Sequence, residues 1–283
     1  MGQSPQEVLL MTVLSASLGA AVLAGALRLL PSGRRLTGLL ISAGFLAAYV
    51  TSYGKVPSFP PVGAVNKVFY IALAGALLGL GAELLHPRLA PALTVLLPVL
   101  AAVWIGQARI TAAPWEVALA AICGLGAMLL LSGPSTRQSG ETAFRRAIVL
   151  TVFCLGFAPI ALLGASSSGM QLVIVQAAML AAVLIWRVWD DGFELAPSAL
   201  LGGAGGLLAL VLTICLITRK ADLLALAVLT LVLVLPLAAE RIPASALPKN
   251  RLARVTLFTL TCLAVAAAAA LVAALRYGEA FPI

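Results

Sequence analysis

Residues 198–218 read "SALLGGAGGLLALVLTICLIT" and contain no charged side chain. A helix needs roughly 18 or more uncharged residues to cross a bilayer, and this run is long enough. Hydrophobic residues make up 62% of the chain and charged residues 10%, whereas about a quarter of a soluble domain is charged. The composition therefore predicts an all-α integral membrane protein.

Ten segments of the chain are predominantly hydrophobic. Each is expected to be a helix, because a helix satisfies its own backbone hydrogen bonds in a medium without water. The segment 223–239 is shorter than the roughly 20 residues that a bilayer requires, which makes it the weakest candidate. The predicted transmembrane segments lie at about 8–30, 36–53, 68–85, 89–107, 115–132, 147–166, 170–187, 198–218, 223–239 and 255–275.

The polar segment 133–146, "GPSTRQSGETAFRR", divides the ten predicted helices into two sets of five. Residues 1–132 then form the first five-helix half, and residues 147–283 form the second. An odd number of spans in each half gives the two halves opposite orientations in the membrane, and such inverted repeats are common in transporters. We therefore expect a 5+5 inverted repeat.

Basic residues are unevenly divided between the two sides of the predicted bundle. Twelve of the 18 lysines and arginines fall in the odd-numbered loops or at the helix ends beside them. Short loops rich in Lys and Arg stay on the cytoplasmic side. We therefore expect a multi-pass protein of the inner (plasma) membrane with both termini on the non-cytoplasmic side.

The residue types that are rare or scattered argue against several chemistries. The only histidine, His86, lies in a predicted turn, so neither a haem with two histidine ligands nor a histidine-cluster metal site fits. The four cysteines lie apart in apolar segments, and no nucleophile-elbow, zinc or phosphate-binding motif occurs. The net charge of +8 is dispersed over many loops, unlike a nucleic-acid interface. We expect no cofactor, no metal, no nucleic-acid partner and no enzymatic activity.

Helix interruptions recur at matching positions in the two halves. The third helix of each half is glycine-rich, with Gly79 in one and Gly206 in the other, and the fourth carries an internal proline, Pro98 or Pro236. Paired interruptions of this kind mark midplane solute sites in transporters. Gln176 is the deepest strongly polar side chain, and its amide could contact a solute or hydrogen-bond a neighbouring helix. These five residues are the predicted substrate-binding set.

The loop 54–67, "GKVPSFPPVGAVNK", is rich in proline and is expected to form a stiff, extended cap. Its aromatic and basic side chains would anchor the loop among lipid headgroups. The alternative is a docking surface for other membrane protein subunits, formed by Phe59, Pro60 and Pro61.

Three functions are compatible with these features. The first is a permease or flippase-like carrier for a neutral or amphiphilic solute, which requires a cavity between the halves. The second is a non-catalytic structural or assembly subunit of a larger membrane complex, which requires solid packing and a flat apolar side or a docking loop. The third, an enzyme acting on lipid, requires Glu83, Glu116, Asp190 or Asp191 to converge on a polar groove.

Overall fold

Residues 5–28, 33–133, 140–187, 195–243 and 248–280 are described by the computed structural model. Within these ranges the chain forms ten helices and no strand, so the predicted all-α fold is confirmed. The helices are α1 (Pro5–Arg28), α2 (Gly33–Tyr53), α3 (Ala64–Leu84), α4 (Ala90–Ile105), α5 (Pro114–Ser132), α6 (Gly140–Leu163), α7 (Ser167–Arg187), α8 (Ala199–Thr218), α9 (Leu223–Glu240) and α10 (Arg251–Ala280).

Eight of the helices in the described ranges are long and apolar enough to cross a membrane. The other two, α1 and α2, have shorter apolar segments, Leu10–Ala26 and Gly38–Tyr53. In α2 the apolar part is shorter than the helix because the first turn contains Arg34 and Arg35. The helix set supports a multi-pass, membrane-embedded protein.

Several helices begin earlier than hydropathy predicts, including α3, whose start at Ala64 lies inside the expected loop 54–67. Two of them, α6 and α10, have charged first turns. The sixth helix, α6, starts at Gly140, inside the segment taken as a connecting loop, and α10 starts at Arg251. Their charged first turns are helical because the charges are paired: Glu141 accepts hydrogen bonds from Arg145 at 2.5 Å and from Arg254 at 3.2 Å. Hydropathy cannot register this pairing, since it sums single residues.

Ion pairs mark two opposite polar ends of the bundle. At one end, Glu116 at the start of α5 joins Arg109 after α4 and Arg219 after α8. We call this the even end, because even-numbered loops lie there. At the other, which we call the odd end, Glu141 and Arg254 join the starts of α6 and α10. Consecutive helices therefore alternate in direction.

The centre of the bundle is formed by α6 and α8. In their most apolar windows, 78% of the residues of α6 and 83% of those of α8 are buried within the protein, against 22% for α10. The sixth helix packs against α7, α9 and α10, while α8 packs against α2, α3 and α4. Among the described residues, the remaining helices except α2 present large apolar side chains on the outer surface, where lipid would lie.

Glycines allow α3 and α8 to approach closely, as their spacing predicts. A Cβ atom at Gly79 would lie 2.5 Å from the Cα of Ser198, and one at Gly206 would lie 2.6 Å from the ring of Phe45 on α2. At Gly75 an added Cβ would overlap the carbonyl of Leu201. These positions cannot hold a larger side chain without moving a helix backbone or a core ring.

Candidate ligand pocket

An elongated pocket of about 410 Å³ lies between α5 on one side and α6, α8 and α9 on the other. It opens on the outer surface, because Leu119 of α5 and Leu223 of α9 both line it and are largely exposed. Its wall is formed by Trp115, Glu116, Leu119, Ala120, Cys123, Gly124, Ala127, Met128, Leu131, Leu150, Phe153, Ala204, Leu207, Leu208, Val211, Leu212, Cys215, Leu216, Arg219, Ala221, Leu223, Leu226, Thr230 and Leu233.

The space exists because small side chains on α5 face the other wall at helical spacing. This face of α5 consists of Ala120, Cys123, Gly124 and Ala127. The facing positions of α8 are Leu208, Val211, Leu212 and Cys215. Residues at i, i+3, i+4 and i+7 share one helix face, so α5 presents a shallow groove along its length. Its packing partner is α4, and it touches α8 and α9 only sparsely.

At the even end the pocket mouth carries three charged side chains. The Glu116 carboxylate accepts hydrogen bonds from Arg109 at 2.9 Å and from Arg219 at 2.7 Å. One negative charge is thus shared by two positive charges. The carboxylate also lies in the first turn of α5, where the helix dipole favours an anion. Of these three residues, Glu116 and Arg219 line the pocket directly.

The backbone at Arg219 has an unusual conformation. Its φ angle is 55°, in the left-handed region, and the preceding turn Ile214–Thr218 is π-helical. The N–H of Arg219 donates to the carbonyl of Ile214 at 3.1 Å, which closes this wide turn. Wide turns and left-handed residues other than glycine are uncommon and cluster at functional sites. Both lie at the pocket mouth.

Beside the mouth, Asp222 forms a separate, closed pair. Its carboxylate caps α9 by accepting from the N–H groups of Leu224 at 2.8 Å and Ala225 at 3.0 Å, and it accepts from Arg276 at 2.7 Å. Burial alone would raise the pKa of Asp222, but these hydrogen bonds and the Arg276 charge outweigh burial and lower the pKa below its ordinary value. The Asp222 charge is therefore compensated by Arg276.

Near the odd end the pocket is closed by large apolar side chains, including Met128, Leu131 and Phe153. Beyond them lies Arg146, which is 1% exposed and donates to the carbonyl of Ser132 at 2.8 Å. The same guanidinium is 3.8 Å from Glu240 at the end of α9 and fills the space beside Gly133. Polar contacts thus hold α5 to its neighbours at both ends, and the gap lies between them.

The predicted substrate-binding residues lie outside the lining of this pocket. Gly79 and Gly206 face α8 and α2 respectively, at the helix contacts described above. Pro98 lies behind the α5 wall, where a Cβ atom at Gly124 would be 3.5 Å from its ring, and Pro236 is buried on α9 beyond the pocket. That these positions contact a solute stays a prediction.

Gln176, the fifth member of the predicted set, is on α7, and its amide lies near Gly44 of α2 and Gly203 of α8. Its side chain is buried, and neither amide atom has a hydrogen-bond partner among the described residues. A narrow void beside it is lined by Ala20, Leu40, Ile41, Met179, Leu180 and Val183. The alternative role of Gln176 was a hydrogen bond to a neighbouring helix, and no such bond is present among the described residues.

The loop proposed to dock a partner is anchored at its base and exposed at its tip. The Tyr70 hydroxyl donates to the carbonyl of Pro57 at 2.7 Å, and the ring of Tyr70 meets that of Phe59 edge-on at 5.5 Å. Phe59 is nonetheless 77% exposed, and Pro60 and Pro61 lie beside it. Lys67 does not reach outward, because it donates to the carbonyl of Trp104 at 2.6 Å.

An enzymatic function would require carboxylates to converge on one groove. The two candidate carboxylates that the structure describes, those of Glu83 and Glu116, lie at opposite ends of the bundle. Glu83 lies at the odd end, where it accepts from the N–H of Ser198 at 2.6 Å, and Glu116 lies at the even end. Asp190 and Asp191 lie outside the described residues. Over those described residues there is also no cluster of three or more His, Cys, Asp or Glu side chains that could hold a metal ion.

A comparison of the chain with protein-family models, with curated proteins and with solved structures finds no match. The pocket and its charged mouth are thus the basis for a functional argument.

Proposed function

We propose that this protein is a non-catalytic carrier, of the permease or flippase kind, for an amphiphilic solute that enters the pocket between α5 and α9. The observation that carries the proposal is the combination of a long apolar pocket with one charged mouth. An amphiphile has the same division between an apolar chain and a polar head. A uniformly polar solute would find few partners along the α5 and α8 walls.

The size and shape of the pocket support this proposal. Small-molecule sites usually occupy about 300–1,000 Å³ and are mostly apolar with a few polar groups, and this pocket has about 410 Å³. From Glu116 to Leu131 the α5 wall rises by roughly 22 Å, at about 1.5 Å per residue. The opening between α5 and α9 would let a chain enter sideways from the lipid.

The proposal includes a 5+5 inverted repeat. Equivalent helices pack against each other across the two halves, namely α2 against α7 and α3 against α8, as expected near a twofold axis in the membrane. The pocket also lies between the halves, since α5 belongs to the first and α6, α8 and α9 to the second. The halves differ at α6, which packs on α9 and α10 as well as α7, whereas α1 packs on α2 and α7.

We further propose an inner-membrane location with the even end on the non-cytoplasmic side. The distribution of basic residues supports this orientation, because the odd-numbered loops and the helix ends beside them contain twice as many lysines and arginines in the sequence as the even-numbered ones. Trp115, at the pocket mouth, is 66% exposed, as expected of a tryptophan at headgroup level. The mouth would then meet the outer leaflet.

A second candidate, a structural or assembly subunit, is favoured by one observation. The loop between α2 and α3, residues 54–63, is anchored at its base and exposes apolar side chains, with Val62 91% exposed and Phe59 77% exposed. Such a rigid apolar tip suits contact with another membrane subunit or with the lipid surface. Solid packing, the other requirement of this candidate, does not fit the pocket.

Filling the pocket tests the carrier proposal. Ala120 lines the pocket, whereas Ala118 on the same helix is exposed and does not line it, so Ala120→Trp and Ala118→Trp form a matched pair. Purified protein in nanodiscs would be photolabelled with a diazirine-bearing alkyl probe and the labelled peptides mapped. We expect Ala120→Trp to reduce labelling of α5 at least tenfold and Ala118→Trp to leave it unchanged.

The same pair would be compared in proteoliposomes for movement of a fluorescent single-chain amphiphile between leaflets. Equal labelling and equal movement in the two variants would contradict the proposal. Size-exclusion profiles and melting temperatures of both variants establish that neither has unfolded.

A further inference from the structure

We propose that the pocket mouth selects an amphiphile with an anionic headgroup, a phosphate or a carboxylate, through Arg219 and Arg109. This inference rests on the proposed function and specifies the class of its solute.

The charges at the pocket mouth are unbalanced. Arg109, Glu116 and Arg219 together carry a net charge of +1, since one carboxylate faces two guanidinium groups. The nearby Asp222 does not cancel this charge, because it is paired with Arg276. An anionic headgroup at the mouth would therefore complete an unbalanced cluster.

The arginines at the mouth also have hydrogen-bond donors that the protein does not use. A guanidinium has five N–H donors, and Arg219 uses one nitrogen on Glu116 while its side chain stays 55% exposed. The buried Nε of Arg109 has no acceptor among the described residues. Arginine can present two parallel N–H groups to a phosphate or carboxylate. Arg219 thus has unused donors at the edge of an apolar pocket, while Arg109, which does not line the pocket, adds its positive charge.

A similar charged cluster at the other end of the bundle has no pocket beside it. At the odd end, Glu141 is shared by Arg145 and Arg254 in the same one-to-two arrangement. None of these three residues lines the pocket. This second cluster supplies an internal control, because a role for charge alone would involve both clusters equally.

The test compares two probes of equal chain length on the intact protein in nanodiscs. Dodecyl phosphate and dodecanol would each compete with the photolabelling of the pocket. We expect dodecyl phosphate to bind at least tenfold more tightly than dodecanol, and the preference to weaken as salt is added. In Arg219→Gln the two probes are expected to bind about equally tightly. The matched odd-end change Arg254→Gln is expected to leave the preference for dodecyl phosphate unaltered.

A second variant gives an effect of opposite sign. Glu116→Gln removes the competing negative charge, so dodecyl phosphate should bind more tightly while dodecanol does not change. This variant keeps the inference testable if Arg219→Gln fails to fold.

The other possible results would contradict the headgroup inference, the carrier proposal or both. Equal competition by both probes would overturn the headgroup inference but leave the carrier proposal standing, provided that Ala120→Trp still abolishes binding of both. Competition by neither probe would overturn both. Inorganic phosphate alone that competes as well as dodecyl phosphate would show that the mouth binds a free anion, and the amphiphile would be rejected.

Discussion

Gln176 stands apart from the other buried polar side chains, because both polar atoms of its amide lack a hydrogen-bond partner among the described residues. Most other buried polar side chains are bonded: Ser42 donates to the carbonyl of Ser198 at 2.5 Å, and Thr94 to that of Ala90 at 2.8 Å, whereas the Ser198 hydroxyl has no partner among the described residues. The amide of Gln176 is buried to the same degree without a partner among the described residues. A buried unpaired amide costs roughly 1–3 kcal/mol, so Gln176 should lower the stability of this structure.

The change Gln176→Met tests this cost. Methionine has a similar length and no polar atom, so we expect the free energy of unfolding to rise by about 1–3 kcal/mol. Gln171→Met, on the same helix but half-buried near its start, is the control and should change stability by under about 0.5 kcal/mol. Denaturant titration in mild detergent measures both. A loss of stability at position 176 would mean that the amide has a partner in the working protein.

At the level of helices, α3 and α5 contact their neighbours in different ways. The third helix packs closely against α8, whereas the fifth is joined to α8 and α9 mainly by polar contacts at its two ends. The third helix meets α8 through glycines that leave almost no space. The fifth meets α8 and α9 through Arg219 at one end and Arg146 at the other, with small side chains between. Helices associate in lipid through close packing of small residues. In α3 those residues bring a partner close, whereas in α5 they leave a space.

The close contact of α3 predicts opposite outcomes for two glycines two residues apart. Gly79→Leu would force a side chain into the backbone of Ser198, so we expect a loss of about 1–3 kcal/mol or more. Gly81 has no atom within 4 Å of an added Cβ, so Gly81→Leu should have little effect or a slight gain from helix propensity. Melting temperatures in detergent compare the two. Similar melting of both variants would show that α3 does not contact α8 in this way.

For the molecule as a whole, the alternation of helices gives a prediction about membrane sidedness. Ser58 lies in the exposed loop of the even end, and Lys249 lies at the odd end. With the four native cysteines replaced by alanine, Ser58→Cys should react with an impermeant maleimide in intact cells, and Lys249→Cys only after lysis. The reverse result would place the termini in the cytoplasm and the pocket mouth at the inner leaflet.

The helices of this protein could be predicted from local sequence, because lipid offers no hydrogen bonds and each span must satisfy its own backbone. Within the residues that the structure describes, each of the ten predicted segments forms a helix, including 223–239, which forms α9 despite its length. The errors are at helix ends, where charged turns such as Glu141–Arg145 are stabilised by pairs that hydropathy does not count. The close approach at Gly79 and Gly206 also followed from spacing alone.

The pocket could not be predicted in the same way, because it depends on which helices fail to fill the space between them. Its mouth joins Glu116 to Arg219, which lie 103 residues apart in the chain. The sequence does show small residues on one face of α5, at 120, 123, 124 and 127. Such a face can support either close helix packing or an open groove, so the sequence does not distinguish the two. Helix formation in lipid is a property of each segment, whereas a cavity is a property of the distance between segments, which depends on their shared packing.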